Sequence, residues 1–97
     1  MAKYVGLINW TEQGVKEFRS TTERAKSAQQ AAAKYGGKIE TLLWTTGRYD
    51  LITVSEFPDD EAASAFSLSL ASIGNVRTTT MRAFDSAGMD RIIAKTR

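Results

Sequence analysis

The stretch KIETLLWTTGRYDLITVSEF, residues 38–57, decides the fold. Its two halves, 38–46 and 49–57, are rich in β-branched and aromatic residues, and a short segment containing Gly47 separates them. Such side chains suit a pleated surface, and a short glycine-containing connection joins antiparallel strands. The stretch therefore predicts a β-hairpin.

On the N-terminal side, the pattern predicts a strand followed by helix. Tyr4–Trp10 has the β-branched and aromatic content of a strand. Thr11 can cap a short helix over 12–18, and Ser20 opens an S/T-x-x-E capping box for a longer helix over 21–35. The small residues Ala25, Ala28 and Ala32 share one face of that helix at helical spacing, which would let it sit close to a sheet.

The C-terminal side repeats this order. Asp59 is the predicted cap of a helix that ends at Gly74-Asn75, and 76–84 is the predicted fourth strand. Residues 85–97 form a predicted C-terminal extension with a short helix over 89–95. The order βαββαβ predicts an α+β, ferredoxin-like fold, in which a four-stranded antiparallel sheet carries two helices on one face.

Composition predicts one globular domain over residues 1–97, with 42% apolar and 25% charged residues. The net charge of +2 is small and its positive charges are scattered, so nucleic acid is not an expected partner. No apolar run approaches the roughly 20 residues of a membrane span. Because Met1-Ala2-Lys3 leads directly into strand-like sequence, we expect no signal peptide and a cytoplasmic protein.

The chain contains neither Cys nor His, which removes the commonest metal ligands and the usual general base near neutral pH. The acidic run 59–61 is explained by the positive end of a helix dipole. We therefore expect no metal and no cofactor.

Both faces of the first strand are apolar. Val5 and Leu7 lie on one face, and Tyr4, Ile8 and Trp10 lie on the other. Because two helices cover only one face of the sheet, we expect the face that contains Tyr4 and Ile8, or their neighbouring residues, to lie open. A second copy of the chain would close it, which predicts a homodimer.

A set of ordered landmarks carries a resemblance to a known family. They are Gly14-Val15-Lys16, Arg24-Ala25, Gly36-Gly37-Lys38, Trp44-Thr45-Thr46-Gly47-Arg48-Tyr49-Asp50, Pro58-Asp59-Asp60-Glu61-Ala62 and Gly74-Asn75-Val76-Arg77-Thr78. Over residues 4–84 the chain resembles the GYD-domain family, small bacterial proteins named for a motif at this hairpin. The resemblance implies subunits that pair into a dimeric α/β barrel, and it implies no particular reaction. The tail after Phe84 lies outside it.

The hairpin motif contains the sharpest candidate site, Tyr49 and Asp50. In a functional interpretation Tyr49 donates a hydrogen bond to a ligand, or Asp50 acts as a base. In a structural interpretation Tyr49 packs in the core, and Asp50 accepts backbone N–H bonds that hold the hairpin. The structural interpretation is preferred, because hairpin geometry alone explains these residue types.

Three further side chains are candidate ligand contacts. Trp10 and Trp44 can line an apolar cavity or pack in a core or dimer interface. Arg82 alternates with threonines on the last strand and can bind a carboxylate or face solvent. Arg24 can form an ion pair with Asp50 or Glu23.

Two classes of function remain. The first is a homodimeric protein that binds a small apolar or aromatic molecule or interacts with another protein. The alternative is a cofactor-independent oxidoreductase or isomerase of the dimeric α/β-barrel type, which rests on fold analogy and is weakened by the missing His. The sequence identifies no catalytic residue.

Overall fold

The computed structural model describes residues 1–96. Its elements, in chain order, are β1 (Ala2–Trp10), α1 (Glu12–Lys16), a 3-10 turn (Phe18–Ser20), α2 (Thr21–Lys34), β2 (Lys38–Trp44), β3 (Leu51–Phe57), α3 (Asp60–Ser72), β4 (Val76–Ala83) and α4 (Ser86–Ala94). The predicted order βαββαβ is confirmed. Strands β2 and β3 are shorter than predicted, because residues 45–50 form a loop rather than a tight turn.

The four strands form one antiparallel sheet in the order β2-β3-β1-β4. The central strand β1 pairs with β3 through Tyr4 and Ser55, and with β4 through Tyr4 and Arg82. This is the strand order of a ferredoxin-like fold. The α+β class and the four-stranded antiparallel sheet are confirmed, and the dimeric barrel stays a prediction.

The covered face of the sheet is the opposite of the one expected. Tyr4 and Ile8 are only 4% and 7% exposed, because α2 and α3 pack on their side. Val5 and Leu7 lie on the open face instead, where Met81 is the cross-strand neighbour of Val5. The expectation that the Tyr4 face is open was wrong. The larger aromatic side chains stand on the helix side, and there they build the core.

The core occupies one end of the layer between sheet and helices. It consists of Tyr4, Ala32, Phe57, Ala63 and Phe66. The Phe57 ring lies 5.2 Å from the Phe66 ring and 6.2 Å from the Tyr4 ring, measured between centroids. Ala32 is fully buried, which confirms the small-residue face of α2 at this end.

A β-bulge in β2 changes which of its side chains face the helices. Ile39 pairs with Ser55 and Thr41 with Val54, so Glu40 is the extra residue. Ile39 therefore shares the helix side of the sheet with Leu42, although strict alternation would place them on opposite sides. The alternation of apolar and polar residues along a strand does not indicate where a single extra residue is inserted.

Of the three predicted helix N-caps, two are present and one is absent. Thr11 Oγ1 accepts the Gly14 N–H at 3.1 Å and Asp59 Oδ1 accepts the Ala62 N–H at 2.8 Å, as predicted. Ser20 makes no capping bond, so the predicted capping box is wrong. Its ψ of 8° continues the preceding 3-10 turn, whereas a side-chain cap needs extended backbone.

The C-terminal helix begins earlier than predicted. Asp85 accepts the Gly88 N–H at 2.8 Å and so starts α4 at Ser86 rather than at Met89. Met89 and Ile93 on this helix are about half exposed. Among the described residues no helix is long and apolar enough to cross a membrane.

Candidate ligand-binding site

Asp50 ties the hairpin to the central strand. Its Oδ2 accepts the Trp10 N–H at 2.9 Å, and its own N–H donates to the Ile8 carbonyl at 2.9 Å. Its carbonyl accepts the Thr45 N–H at 2.8 Å. These bonds hold the end of β1 against the loop, so the geometry favours the structural interpretation of Asp50.

Tyr49 lies in the six-residue loop rather than on a strand. The Thr45 hydroxyl donates to its carbonyl at 2.5 Å, and Gly47 takes a φ of +111°, which favours glycine. Tyr49 is half-buried and does not line the cavity described next. The loop therefore places neither Tyr49 nor Asp50 in the lining of that cavity.

A cavity of about 480 Å³ lies between the sheet and helices α2 and α3. Its floor includes Ile8, Trp10 and Leu51, which lie at the end of the sheet opposite the aromatic core. Ala25 and Ala28 of α2 contribute to its wall. The predicted small-residue face therefore packs tightly at Ala32 and leaves space at its other end.

The floor of this cavity carries hydroxyl groups. Thr53 and Ser55 on β3 are 8% and 7% exposed, and both line it. Gly6 lies opposite Thr53 in the β1–β3 register, and a Cβ at Gly6 would come within 2.5 Å of Thr53 Oγ1. The absence of a side chain at Gly6 thus leaves room above the Thr53 hydroxyl.

Arg24 stands at one end of the cavity and is engaged in structural bonds. Its Nη1 donates to the Glu17 carbonyl at 2.8 Å and to Ser20 Oγ at 3.0 Å, and its Nη2 donates to the Gly14 carbonyl at 3.1 Å. The predicted ion pair with Asp50 or Glu23 is wrong. The guanidinium instead joins the 3-10 turn and α1 to the first turn of α2.

The two tryptophans occupy different places. Trp10 is half-buried and lines the cavity, as its ligand-contact interpretation requires. Trp44 is 42% exposed, and its Nε1–H donates to Thr21 Oγ1 at 3.0 Å. Trp44 therefore holds the start of α2 over the edge strand β2, beside the cavity rather than in it.

Arg82 lies in a second, more open groove between α3 and β4. Its Nη1 donates to the carbonyls of Ala83 at 2.5 Å and Lys3 at 3.3 Å. Its guanidinium stands over the rings of Phe84, at 4.5 Å, and Tyr4, at 5.6 Å. The structure therefore separates Arg82 from Trp10, and the five candidate residues do not form one site.

Tyr4 separates the cavity from this groove and lines both. Its hydroxyl donates to Asp60 Oδ1 at 2.5 Å. Burial, together with this bond to a carboxylate, raises the pKa of Tyr4 to about 12. The phenol is therefore a protonated donor at neutral pH.

Sequence reasoning missed Thr53 and Ser55. The available signal was their position: they alternate with Leu51 and Phe57, which are apolar, so all four share one face of β3. Two small hydroxyl residues on the buried face of a central strand indicate a place where apolar packing is incomplete.

The comparisons with known proteins agree with this fold. A protein of Thermus thermophilus named glutamine synthetase and cystathionine beta-lyase binding protein is 28% identical over 90 residues, which is 92% of this chain and 95% of the relative. The crystal structure of TTHA0845 from Thermus thermophilus superposes with a TM-score of 0.57 at 23% identity, covering 89% of this chain and 96% of that one. This structural likeness shows the fold alone.

The sequence profile of the GYD domain matches residues 4–93. The match continues through nearly all of α4, so the prediction that the tail after Phe84 lies outside the resemblance was wrong. Because the match spans most of the chain, the resemblance seen in its landmarks is confirmed. The chain belongs to the GYD domain family.

Proposed function

We propose that this GYD domain protein is a homodimeric small-molecule-binding protein whose ligand occupies the cavity between the sheet and helices α2 and α3. The observation that carries the proposal is the cavity itself, about 480 Å³ in volume, with mainly apolar walls and the hydroxyl groups of several serine and threonine residues. Ligand sites in proteins are typically concave, mostly apolar and roughly 300–1,000 Å³ in size.

The residues around the cavity support a binding role. Apolar side chains that line an open cleft remain in contact with water and so contribute less to stability than packed ones. Here the space lies beneath Ala25 and Ala28, where larger side chains would fill it. A ligand that binds only the folded state would recover part of the lost stability.

The geometry supports binding better than acid–base catalysis. The Asp50 carboxylate accepts a backbone N–H, and the Tyr4 phenol, with its pKa raised to about 12, is not a base at neutral pH. The sequence supplies no His. The alternative of a cofactor-independent oxidoreductase or isomerase therefore has no observation in its favour.

The test is a thermal-shift screen against neutral, acidic and basic aromatic compounds, with each hit repeated on two variants. Ala28→Leu places a larger side chain in the cavity, and Ala33→Leu makes the same change on the exposed side of α2. The proposal predicts that Ala28→Leu abolishes the ligand-induced shift and that Ala33→Leu retains it. Equal shifts in both variants would place the ligand elsewhere.

The homodimer is supported by the open face of the sheet. Leu43 and Met81 on that face are 57% and 44% exposed, and Val5, Leu7 and Ile52 lie between them. A contiguous apolar face of this kind is typical of an interface. Self-association through it would be two-fold, since two-fold dimers are the commonest oligomers.

A second candidate function is protein binding through α4. The Thermus relative is named for binding glutamine synthetase and cystathionine beta-lyase, and in this chain Phe84, Met89 and Ile93 present exposed apolar surface at the C-terminal end. A pull-down with the host's purified glutamine synthetase and cystathionine β-lyase tests it. Capture that is lost in Ile93→Asp would support the role, and capture of neither enzyme would count against it.

A further inference from the structure

In the part of the chain that the structure describes, the cavity has its charged side chains at one end and none on its floor. Among the described residues that line it, the carboxylate and guanidinium groups belong to Glu23 and Arg24. The three hydrogen bonds of Arg24 turn its guanidinium toward the 3-10 turn and α1. The Glu23 side chain is 78% exposed and lies 4.0 Å from Lys26 Nζ. Arg24 is therefore held at the end of the cavity by neutral acceptors, and Glu23 faces solvent.

This arrangement penalises charged ligands. A buried carboxylate or ammonium group loses its hydration, and the loss is recovered only by an opposite charge or by several hydrogen bonds. Around Thr53 and Ser55 the lining supplies hydroxyl groups and apolar side chains but no opposite charge. A ligand that buried a net charge there would bind poorly.

The hydroxyls of Thr53 and Ser55 can satisfy a neutral polar group. The two residues are separated by one position on β3 and so stand side by side on the helix face. Each hydroxyl can donate and accept. Because Gly6 has no side chain, a ligand can reach Thr53 Oγ1 without displacing a neighbouring residue.

We infer that the cavity selects an uncharged, largely apolar molecule with a carbonyl or hydroxyl oxygen, and that this oxygen bonds to Thr53 and Ser55. The inference rests on the proposed function, since it names the chemical class of the ligand for the same site. Trp10 packs against the apolar part of the molecule at one end of the cavity, and Phe57 and Phe66 bound the other end.

Three probes that share the naphthalene ring system test the inference: naphthalene, 2-acetylnaphthalene and 2-naphthoate, titrated into the full chain at about pH 7.5 by isothermal calorimetry. The neutral ketone is expected to bind roughly fivefold more tightly than naphthalene, because of its hydrogen bond. The carboxylate is expected to bind at least about tenfold more weakly than the ketone, because its charge is unpaired.

The variant Thr53→Val/Ser55→Ala removes both hydroxyls. It is expected to lose the preference for the ketone over naphthalene while retaining naphthalene affinity. Thr79→Val is the matched control, since Thr79 is exposed and pairs with Leu7 on the open face. If circular dichroism shows that the double variant is unfolded, the comparison of the three probes on the wild-type chain decides alone.

The outcomes separate the inference from the proposed function. Binding of 2-naphthoate as tightly as the ketone, or a ketone preference that survives in the folded double variant, overturns the inference while small-molecule binding stands. Failure of all three probes to bind, in a cavity large enough for each, counts against the proposed function itself and the inference falls with it.

Discussion

Replacement of Asp50 by alanine is the perturbation that decides what the hairpin motif does. The Asp50 carboxylate accepts the Trp10 N–H at 2.9 Å in a partly buried position, and an alanine side chain offers no acceptor to replace it. Leaving a buried donor unpaired costs about 1–3 kcal/mol. We therefore expect Asp50→Ala to lower the free energy of unfolding by that amount.

Asp50→Asn is the informative partner of this variant. Its amide oxygen can still accept the Trp10 N–H, so only the charge contribution to the bond is lost, and the expected cost is about 1 kcal/mol or less. For a domain of this size, each kcal/mol corresponds to roughly 4–8 °C in melting temperature. The asparagine variant should therefore melt between the wild type and the alanine variant.

The assay is urea unfolding followed by circular dichroism at one fixed protein concentration, because self-association would make the midpoint depend on concentration. Ligand affinity is measured in parallel on the folded variants. The structural account predicts a lower midpoint for Asp50→Ala and unchanged affinity. An unchanged midpoint with lost affinity in both variants would refute it and make Asp50 a functional carboxylate.

Three other predictions follow from the core, the cavity and the open face. Gly6→Ala should destabilise the fold by about 1–3 kcal/mol in urea unfolding, because its Cβ would meet Thr53 Oγ1 at 2.5 Å, and adding Thr53→Ala should relieve part of this cost. A fully additive double variant would refute the contact. Burial and then the bond to a carboxylate raise the pKa of Tyr4 from 10.0 to about 12, so the folded state holds this proton more tightly than the unfolded chain. The stability that this shift contributes is complete below pH 10 and is lost as the pH rises toward 12. The difference in free energy of unfolding between the wild type and Tyr4→Phe should therefore shrink between pH 10 and pH 12. A difference that stays constant over this range would contradict the pKa shift. Leu43→Glu combined with Met81→Glu should give a monomer of 10.7 kDa by sedimentation while the wild type is a dimer, and a monomeric wild type at micromolar concentration would exclude the dimer.

Much of the fold follows from local sequence signals. The hairpin, the order βαββαβ and the caps at Thr11 and Asp59 depend on residue types within a few positions of each other, and all were predicted. The bulge at Glu40 and the missing cap at Ser20 were not. Both depend on local backbone geometry that the residue types alone do not specify.

The choice of the covered face and the cavity required three-dimensional information. Both faces of β1 are apolar, so the pattern alone did not show that Tyr4 and Ile8, rather than Val5 and Leu7, lie beneath the helices. The cavity arises where small residues from α2, β1 and β3 meet across long sequence separations. Trp10 was predicted as a ligand contact from its side chain, and its lining position agrees with that hypothesis without testing it.

The most direct test of ligand binding in the cavity is an NMR map of contacts between a bound neutral ligand and the methyl groups of the protein. We expect nuclear Overhauser effects from the ligand to the methyls of Ala25, Ala28 and Leu70, together with shifts of the Trp10 indole signal. Effects confined to Val5 and Leu7 on the open face, with none in the cavity, would contradict it.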